Sequence, residues 1–213
     1  MNATVKDVMT TAVVVVRRGA TFKEMAAALR RYRVSALPVV DADGKVIGVV
    51  SEADMLAKEA LTDPGVIDGL ALHKAGGLTA GDLMTHPAVT VRPEDSVEHA
   101  ARLMYNLRIK RLPVVDAGGG LVGVISRTDL LAVYDRPDAE IRAEIEGLIR
   151  HEFLPGQFAV TVEDGVVTLA GSPETAALGH HIVGKVRHVQ GVVAVRDQLS
   201  YPDVYPIVAG PVL

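Results

Sequence analysis

The sequence predicts a mixed α/β (α+β) protein built from two βαββα repeats and a smaller αββαβ domain. Three features lead there. Sliding the chain along itself until Met9 falls on Met84, with no gap, also superposes Pro38 on Pro113, Gly48 on Gly123 and Asp54 on Asp129, with 20 identities across the 52 positions from 5 to 56. Unrelated chains of average composition match at roughly one position in fifteen, so the stretch up to Leu131 is a duplication. Each copy alternates β-branched runs with apolar residues at helical spacing. After Pro137 the pattern changes to a different order.

Each copy opens on Asp-x-Met-Thr, at residues 7–10 and 82–85, and a Val-rich strand follows at residues 12–16 and 88–91. Thr21 and Ser96 then open long helices. Phe22, Met25, Ala26 and Leu29 in one, and Val97, Ala100, Ala101 and Met104 in the other, recur at the spacing that buries one helix face on a sheet. Leu-Pro-Val-Val-Asp, at 37–41 and 112–116, leads through a Gly-containing turn into apolar runs at 46–50 and 121–125, a hairpin signature. The proline restricts where that strand begins. Residues 57–78, rich in Gly, Ala and Asp, read as a helix followed by a loop.

Beyond Tyr134-Asp135-Arg136-Pro137, Ile141, Ile145, Leu148 and Ile149 mark a helix. Residues 158–162 alternate toward a Glu163-Asp164-Gly165 turn and a strand at 166–169, residues 174–189 read as a second helix ended by Gly191, and residues 192–199 as a last strand. The expected domains are therefore repeats at 1–62 and 79–135 around a linker at 63–78, a small domain at 136–203, and a tail at 204–213. The small domain has about the size at which domains become marginally stable alone.

Composition narrows the function. Lys plus Arg number 22 against 26 Asp plus Glu, a formal charge of −4, which removes the broad basic field a nucleic-acid binder needs. With 3 Phe, 5 Tyr and no Trp, there is no aromatic platform for stacking bases either. The absence of Cys excludes disulfides, thiolate metal sites and a Cys nucleophile. No basic start followed by an apolar stretch opens the sequence, so a cytoplasmic protein is expected. No nucleophile elbow, P-loop or His-Glu-x-x-His occurs, and nothing argues for catalysis.

The most informative tetrads are Ser51-Glu52-Ala53-Asp54 and Ser126-Arg127-Thr128-Asp129, each between an apolar strand end and a helical run. Ser-x-x-Asp is close to a capping box, in which the acid returns a bond to the cap. The same geometry offers helix-terminal N–H groups and a hydroxyl to a phosphate, and a carboxylate to the two hydroxyls of a ribose.

With Asp-x-Met-Thr, Leu-Pro-Val-Val-Asp and Gly-hydrophobic-hydrophobic-Ser-x-x-Asp each present twice and in the same order, the chain up to Leu131 resembles a tandem pair of CBS domains. The resemblance implies two copies packed about a pseudo-twofold axis. It also implies a regulatory module that binds AMP, ADP or ATP, and less often S-adenosylmethionine, in clefts between the copies, and that dimerises further. Carried over, Asp54 and Asp129 would hold ribose hydroxyls, and Ser51 and Ser126 would lie near ribose or phosphate. Thr11-Ala12-Val13 and His86-Pro87-Ala88 would line the adenine side. A basic residue before Leu-Pro would reach the phosphate. Copy two has Lys110 and Arg111 there while copy one has Ser35 and Ala36, so the two pockets are inequivalent, one strong and one weak or empty. Either Asp could face the basic pair, and an ordinary solvated strand start is the plain alternative for it.

Residues from about 138 to 202 resemble a BON domain, through Asp-x-x-Ile early in the helix, Val-x-Val-x-x-Gly-x-Val-x-Leu-x-Gly from Val160 to Gly171, and Gly191-Val192 before the last strand. The resemblance implies a module proposed to meet phospholipid or partner surfaces. No Lys/Arg cluster beside an amphipathic helix is present to meet anionic lipid, which favours an interaction or oligomerisation role. Gly118-Gly119-Gly120-Leu121-Val122-Gly123 satisfies G-x-G-x-x-G but sits between two strands, as a hairpin turn. His180, His181 and His188 share one helix without a carboxylate at helical spacing, and no metal is expected there.

Together these readings describe a non-enzymatic adenine-nucleotide sensor with no obligatory cofactor, whose BON-like domain serves as an interaction or relay module. Its expected partners are the nucleotide, a second copy of the chain and an unidentified protein. The alternative is an adaptor that dimerises through its repeats and docks through the BON-like domain without binding nucleotide.

Overall fold

The computed structural model describes residues 3–60, 78–152 and 157–201. All but the last residue of the linker expected at 63–78, and the tail expected at 204–213, lie outside them. The chain divides into two compact units, one of Ala3–Leu130 and one beginning at Leu131.

In the first unit the elements of copy one are α1 (Val5–Val8), β1 (Val16–Arg17), α2 (Phe22–Tyr32), β2 (Ala36–Val40), β3 (Val46–Ser51) and α3 (Glu52–Ala60). Copy two supplies α4 (Ala80–Leu83), α5 (Val97–Asn106), β4 (Arg111–Val115), β5 (Leu121–Ser126) and α6 (Arg127–Leu131), which runs into a 3-10 turn at Ala132–Tyr134. β2 and β3 pair antiparallel, as do β4 and β5, and the two hairpins share one register: Pro38 faces Val49 as Pro113 faces Val124.

The first strands are shorter than the β-branched runs suggest. β1 pairs parallel with β2 only at Val16 and Arg17, and its counterpart is a single bridge from Val91 to Val114. The proline sets this limit. On that edge Val115 donates its N–H to Val91 (2.9 Å), but Pro113 presents only its carbonyl, which accepts from Val91 (3.1 Å). A proline has no N–H to extend the ladder further.

The short helices at the Asp-x-Met-Thr segments exchange places between the copies. Val5 and Lys6 donate to the carbonyls of Asp95 and Pro93, Thr10 pairs with Val124, and Val5 is buried with Ala100, Met104, Leu112 and Ile125 of copy two. Reciprocally, Ala80 and Gly81 donate to Ala20 and Arg18, Thr85 pairs with Val49, and Ala80, Leu83 and Met84 are buried with Met25, Leu37 and Val50 of copy one. The glycine of each third strand explains the methionine of each opening motif. A Cβ on Gly48 would lie 2.5 Å from Met84 Sδ, and one on Gly123 would lie 2.7 Å from Met9 Sδ. The hairpin turns also meet, with Val46 donating to Gly119 O and Leu121 to Gly44 O.

Caps fix the helix starts. The Thr21 N–H and hydroxyl both donate to Glu24 Oε2, at 2.7 and 2.9 Å. These bonds, the backbone one foremost, hold the exposed Glu24 carboxyl below its ordinary value. A group so depressed supports the fold above its unfolded pKa and loses that support as pH falls through the folded one. An NMR titration of Glu24 is expected to midpoint below 4.5, and Thr21→Ala to move it only part of the way back, because the residue-21 N–H remains. A midpoint at or above 4.5 in the wild type would refute the cap.

The second unit carries α7 (Asp138–Glu152), β6 (Phe158–Glu163), β7 (Val166–Gly171), α8 (Ala176–Arg187) and β8 (Ala194–Leu199). β6 pairs antiparallel and β8 parallel with the central β7. Ile141, Ile145 and Ile149 of α7 and Ile182 and Val186 of α8 close over Val160, Val167 and Leu169. Asp164 and Gly165, both with φ in the left-handed region at 50° and 72°, make the two-residue turn between β6 and β7. Asp138 clasps that turn, accepting from the N–H groups of Asp164 (2.7 Å) and Gly165 (2.8 Å). Gly191 does not end α8, which stops at Arg187 with His188 as its cap. Instead it turns the chain at φ 92° where a Cβ would lie 2.7 Å from Ile141. Among the described residues no helix is long and apolar enough to cross a membrane.

Candidate functional site

β3 ends at Ser51 and β5 at Ser126, and each serine is followed at once by a helix. Ser51 donates its N–H (2.8 Å) and its hydroxyl (2.7 Å) to Asp54 Oδ2, and Asp54 N–H reaches back to Ser51 Oγ at 3.4 Å. Ser126 and Asp129 repeat the arrangement at 2.7, 2.7 and 3.4 Å. Both tetrads are thus capping boxes, half-buried at the foot of a strand. In each box the two capping donors converge on one carboxylate oxygen, Oδ2.

The exchange of opening segments builds a cleft beside Asp54. Val49 of β3 and Thr85 share two backbone hydrogen bonds, of 3.1 and 2.9 Å, which bring the chain after the second Met-Thr across copy one. The resulting cavity is about 260 Å³. Copy one lines it with Ser35, Ala36, Val49, Ser51, Glu52, Ala53 and Asp54, and copy two with Thr85, Ala88, Val89, Arg108, Ile109, Lys110 and Arg111. Its charged groups divide by origin: both carboxylates, Glu52 and Asp54, come from copy one, and the three cations come from the strip leading into β4 in copy two, while each copy supplies hydroxyls. Arg108, Lys110 and Arg111 form no ion pair with a described residue.

Of the residues singled out from sequence, the structure brings Ser51, Asp54, Ala88, Lys110 and Arg111 into this one cleft. His86 and Pro87 are exposed beside it and do not line it. Ser126 and Asp129 stand at the equivalent position in copy two and do not line this cavity, nor do Thr11, Ala12 and Val13, which follow Thr10 where it pairs with Val124. Lys110 and Arg111, which sequence left between the two acids, line the Asp54 cleft. Arg111 also lines a small space with Ala36, Pro38, Val49, Pro113 and Val124, residues drawn pairwise from the two copies.

Arg108, Glu52 and Thr85 were not singled out. For Arg108 a signal exists in its identity with Arg33, its counterpart in copy one. In the second unit a concavity is lined by His180, His181 and His188 with Lys185, Gly184, Leu148 and Val189. Among the described residues no group of three or more His, Cys, Asp or Glu could hold a metal.

The CBS domain model matches residues 5–60 and 80–136, and the BON domain model residues 137–203. The chain is 31% identical over 134 residues to the chloroplast CBS domain-containing protein CBSX1 of Arabidopsis thaliana, covering 55% of this chain and 57% of that one. It therefore spans little more than half the length of that relative. The crystal structure of CBSX2 in complex with AMP matches with a TM-score of 0.54 and 34% identity over 61% of this chain and 94% of that one. The CBS domain pair of protein MJ0100, in complex with 5′-methylthioadenosine and S-adenosyl-L-methionine, shares the fold at a TM-score of 0.54 and 23% identity, over 63% of this chain and 98% of that one.

Proposed function

Because the chain belongs to the CBS-domain family, with two CBS domains followed by a BON domain, we propose that it is a non-enzymatic regulatory protein that senses an adenine nucleotide in the Asp54 cleft. One observation carries this reading: a carboxylate and hydroxyl suited to ribose and a strip of cations suited to phosphate, contributed by different copies, line the same cavity. The binding of AMP by CBSX2, 34% identical in its solved structure, supports the choice of ligand. Asp54 accepts the ribose hydroxyls alongside its Ser51 cap, Val49, Ala88, Val89 and Ile109 take the apolar base, and the cations meet the phosphate. A ligand held by both copies shifts the balance between packings of the pair only by the difference in its affinity for them. The BON domain then serves as the module that passes the shift to a partner, and a second copy of the chain is the expected companion of the CBS pair.

The test is a thermal-shift titration of the full chain with AMP, ADP, ATP and S-adenosylmethionine, beside Asp54→Ala and Asp129→Ala. A ligand at a hundred times its Kd stabilises the native state by about 2.7 kcal/mol. Each variant is expected to lose about 1 kcal/mol of intrinsic stability with its cap, and only Asp54→Ala is expected to abolish the ligand-dependent rise. Loss of the rise in Asp129→Ala alone would move the site to the other cleft. No rise with any ligand at millimolar concentration would replace the sensor with a dimerising adaptor.

A further inference from the structure

We infer that Arg108 is the residue that selects the ligand of the Asp54 cleft for its phosphates, so that ATP binds more tightly than AMP and AMP more tightly than adenosine, a step that rests on the nucleotide reading above. The backbone points to it first. After α5 the chain passes through Leu107 into Arg108 at φ 55°, and α2 ends likewise on Arg33 at φ 53°. Glycine enters this left-handed region freely, whereas a residue with a Cβ does so at a cost. Helices commonly end on a glycine or asparagine there. An arginine at both equivalent turns holds a conformation that its own side chain disfavours, and such a residue is a place to look for function.

The surroundings of Arg108 say what that function is. Arg108 is exposed, forms no ion pair with a described residue, and lines the cleft with Lys110 and Arg111. Copy one has Arg33, Ser35 and Ala36 at the matching positions, so only copy two follows this left-handed arginine with two further cations, Lys110 and Arg111. A guanidinium offers five N–H donors in a planar fork that fits two phosphate oxygens at once, which an ammonium cannot do. Glu52 and Asp54 place negative charge at the other copy's side, which turns the phosphates toward the cations. The same strip repels the sulfonium of S-adenosylmethionine, and gives neutral adenosine nothing to distinguish it.

Calorimetric titration of the full chain with adenosine, AMP and ATP tests this in the wild type, Arg108→Gly and Arg33→Gly. Without ligand both glycine variants are expected to melt at or above the wild-type temperature, because each relieves a left-handed arginine. Arg108→Gly is expected to weaken ATP binding about tenfold or more, the loss typical of a charged hydrogen bond, with a shallower salt dependence. Adenosine affinity should stay within about twofold, and Arg33→Gly should leave ATP affinity within about twofold, against that tenfold benchmark. Unchanged ATP affinity in Arg108→Gly, an equal loss for adenosine, or a loss caused by Arg33→Gly instead would each overturn the assignment of Arg108. If the wild type binds none of the three, the nucleotide reading of the cleft fails, and Arg108 with it.

Discussion

Replacing Gly171 with alanine is expected to cost the second unit about 4 kcal/mol, from left-handed strain and steric overlap together, and to leave its sheet largely unfolded. Gly171 stands at φ 146°, and a Cβ there would lie 2.0 Å from the carbonyl oxygen of Gln157. Neither side can give way. Gly171 pairs with Phe158 on one flank and Leu199 on the other, Ser172 N–H donates to that Gln157 carbonyl, and Ser200 N–H donates to Gly171 O. Hydrogen exchange on the full-length variant should show loss of protection at Val160 and Leu169, with β2–β3 and β4–β5 protected as in the wild type. Wild-type protection throughout β6–β8 would show that the strand end tolerates a side chain.

Gly48→Ala is expected to cost the first unit about 2 kcal/mol by overpacking. The new methyl would meet Met84 at Sδ (2.5 Å), Cγ (2.9 Å) and Cβ (3.0 Å). The sulfur can swing aside; the Cβ cannot, because Met84 N–H is bonded to Ala80 O and the next residue, Thr85, is paired with Val49. Gly123→Ala is expected to cost about the same, since Met9 Sδ at 2.7 Å can swing aside but the Thr10 carbonyl oxygen at 3.1 Å is held by its pairing with Val124. In a denaturant cycle with Met84→Ala, the double variant should be more stable than the sum of the singles by about 1 kcal/mol, as residues in contact are coupled. Strict additivity would mean that Gly48 is not there to admit Met84.

Periodicity made much of this architecture legible. Residues that repeat every turn must share a face, so Met25 and Leu29 in α2, and Ala100 and Met104 in α5, are buried as their spacing requires, behind caps at Thr21 and Ser96. The Asp-Gly between β6 and β7 announced its turn because few residues accept two left-handed positions in succession. The exchange of opening segments was not legible, since a constant offset between copies states which positions are alike and is silent on which copy they pack against. That blindness carried into the site. Ser51 with Asp54 and Lys110 with Arg111 stood out, but the sequence left open which acid the basic pair would face, and their meeting in one cavity depends on Thr85 crossing to Val49. The run at residues 12–16 misled because β-branched content reports fitness for a pleated surface, not whether the neighbouring edge has donors to offer. Arg108 escaped because its identity with Arg33 reads as one match among many, while the left-handed backbone angle that sets both apart is not disclosed by residue type.

The exchanged helices bear on the history of the molecule. The unit that was copied is not the unit that folds: a polypeptide of one copy alone would leave the groove over its glycine uncovered while carrying a methionine with nowhere to go. Two such chains, each lending its leading segment to the other, would satisfy both needs, as a swapped homodimer does. Carrying both copies in one polypeptide replaces an association that would depend on concentration with a tether, and lets each half differ from the other. The Lys110–Arg111 pair, where copy one has Ser35 and Ala36, is what that freedom allows, since a homodimer could only carry it twice or not at all.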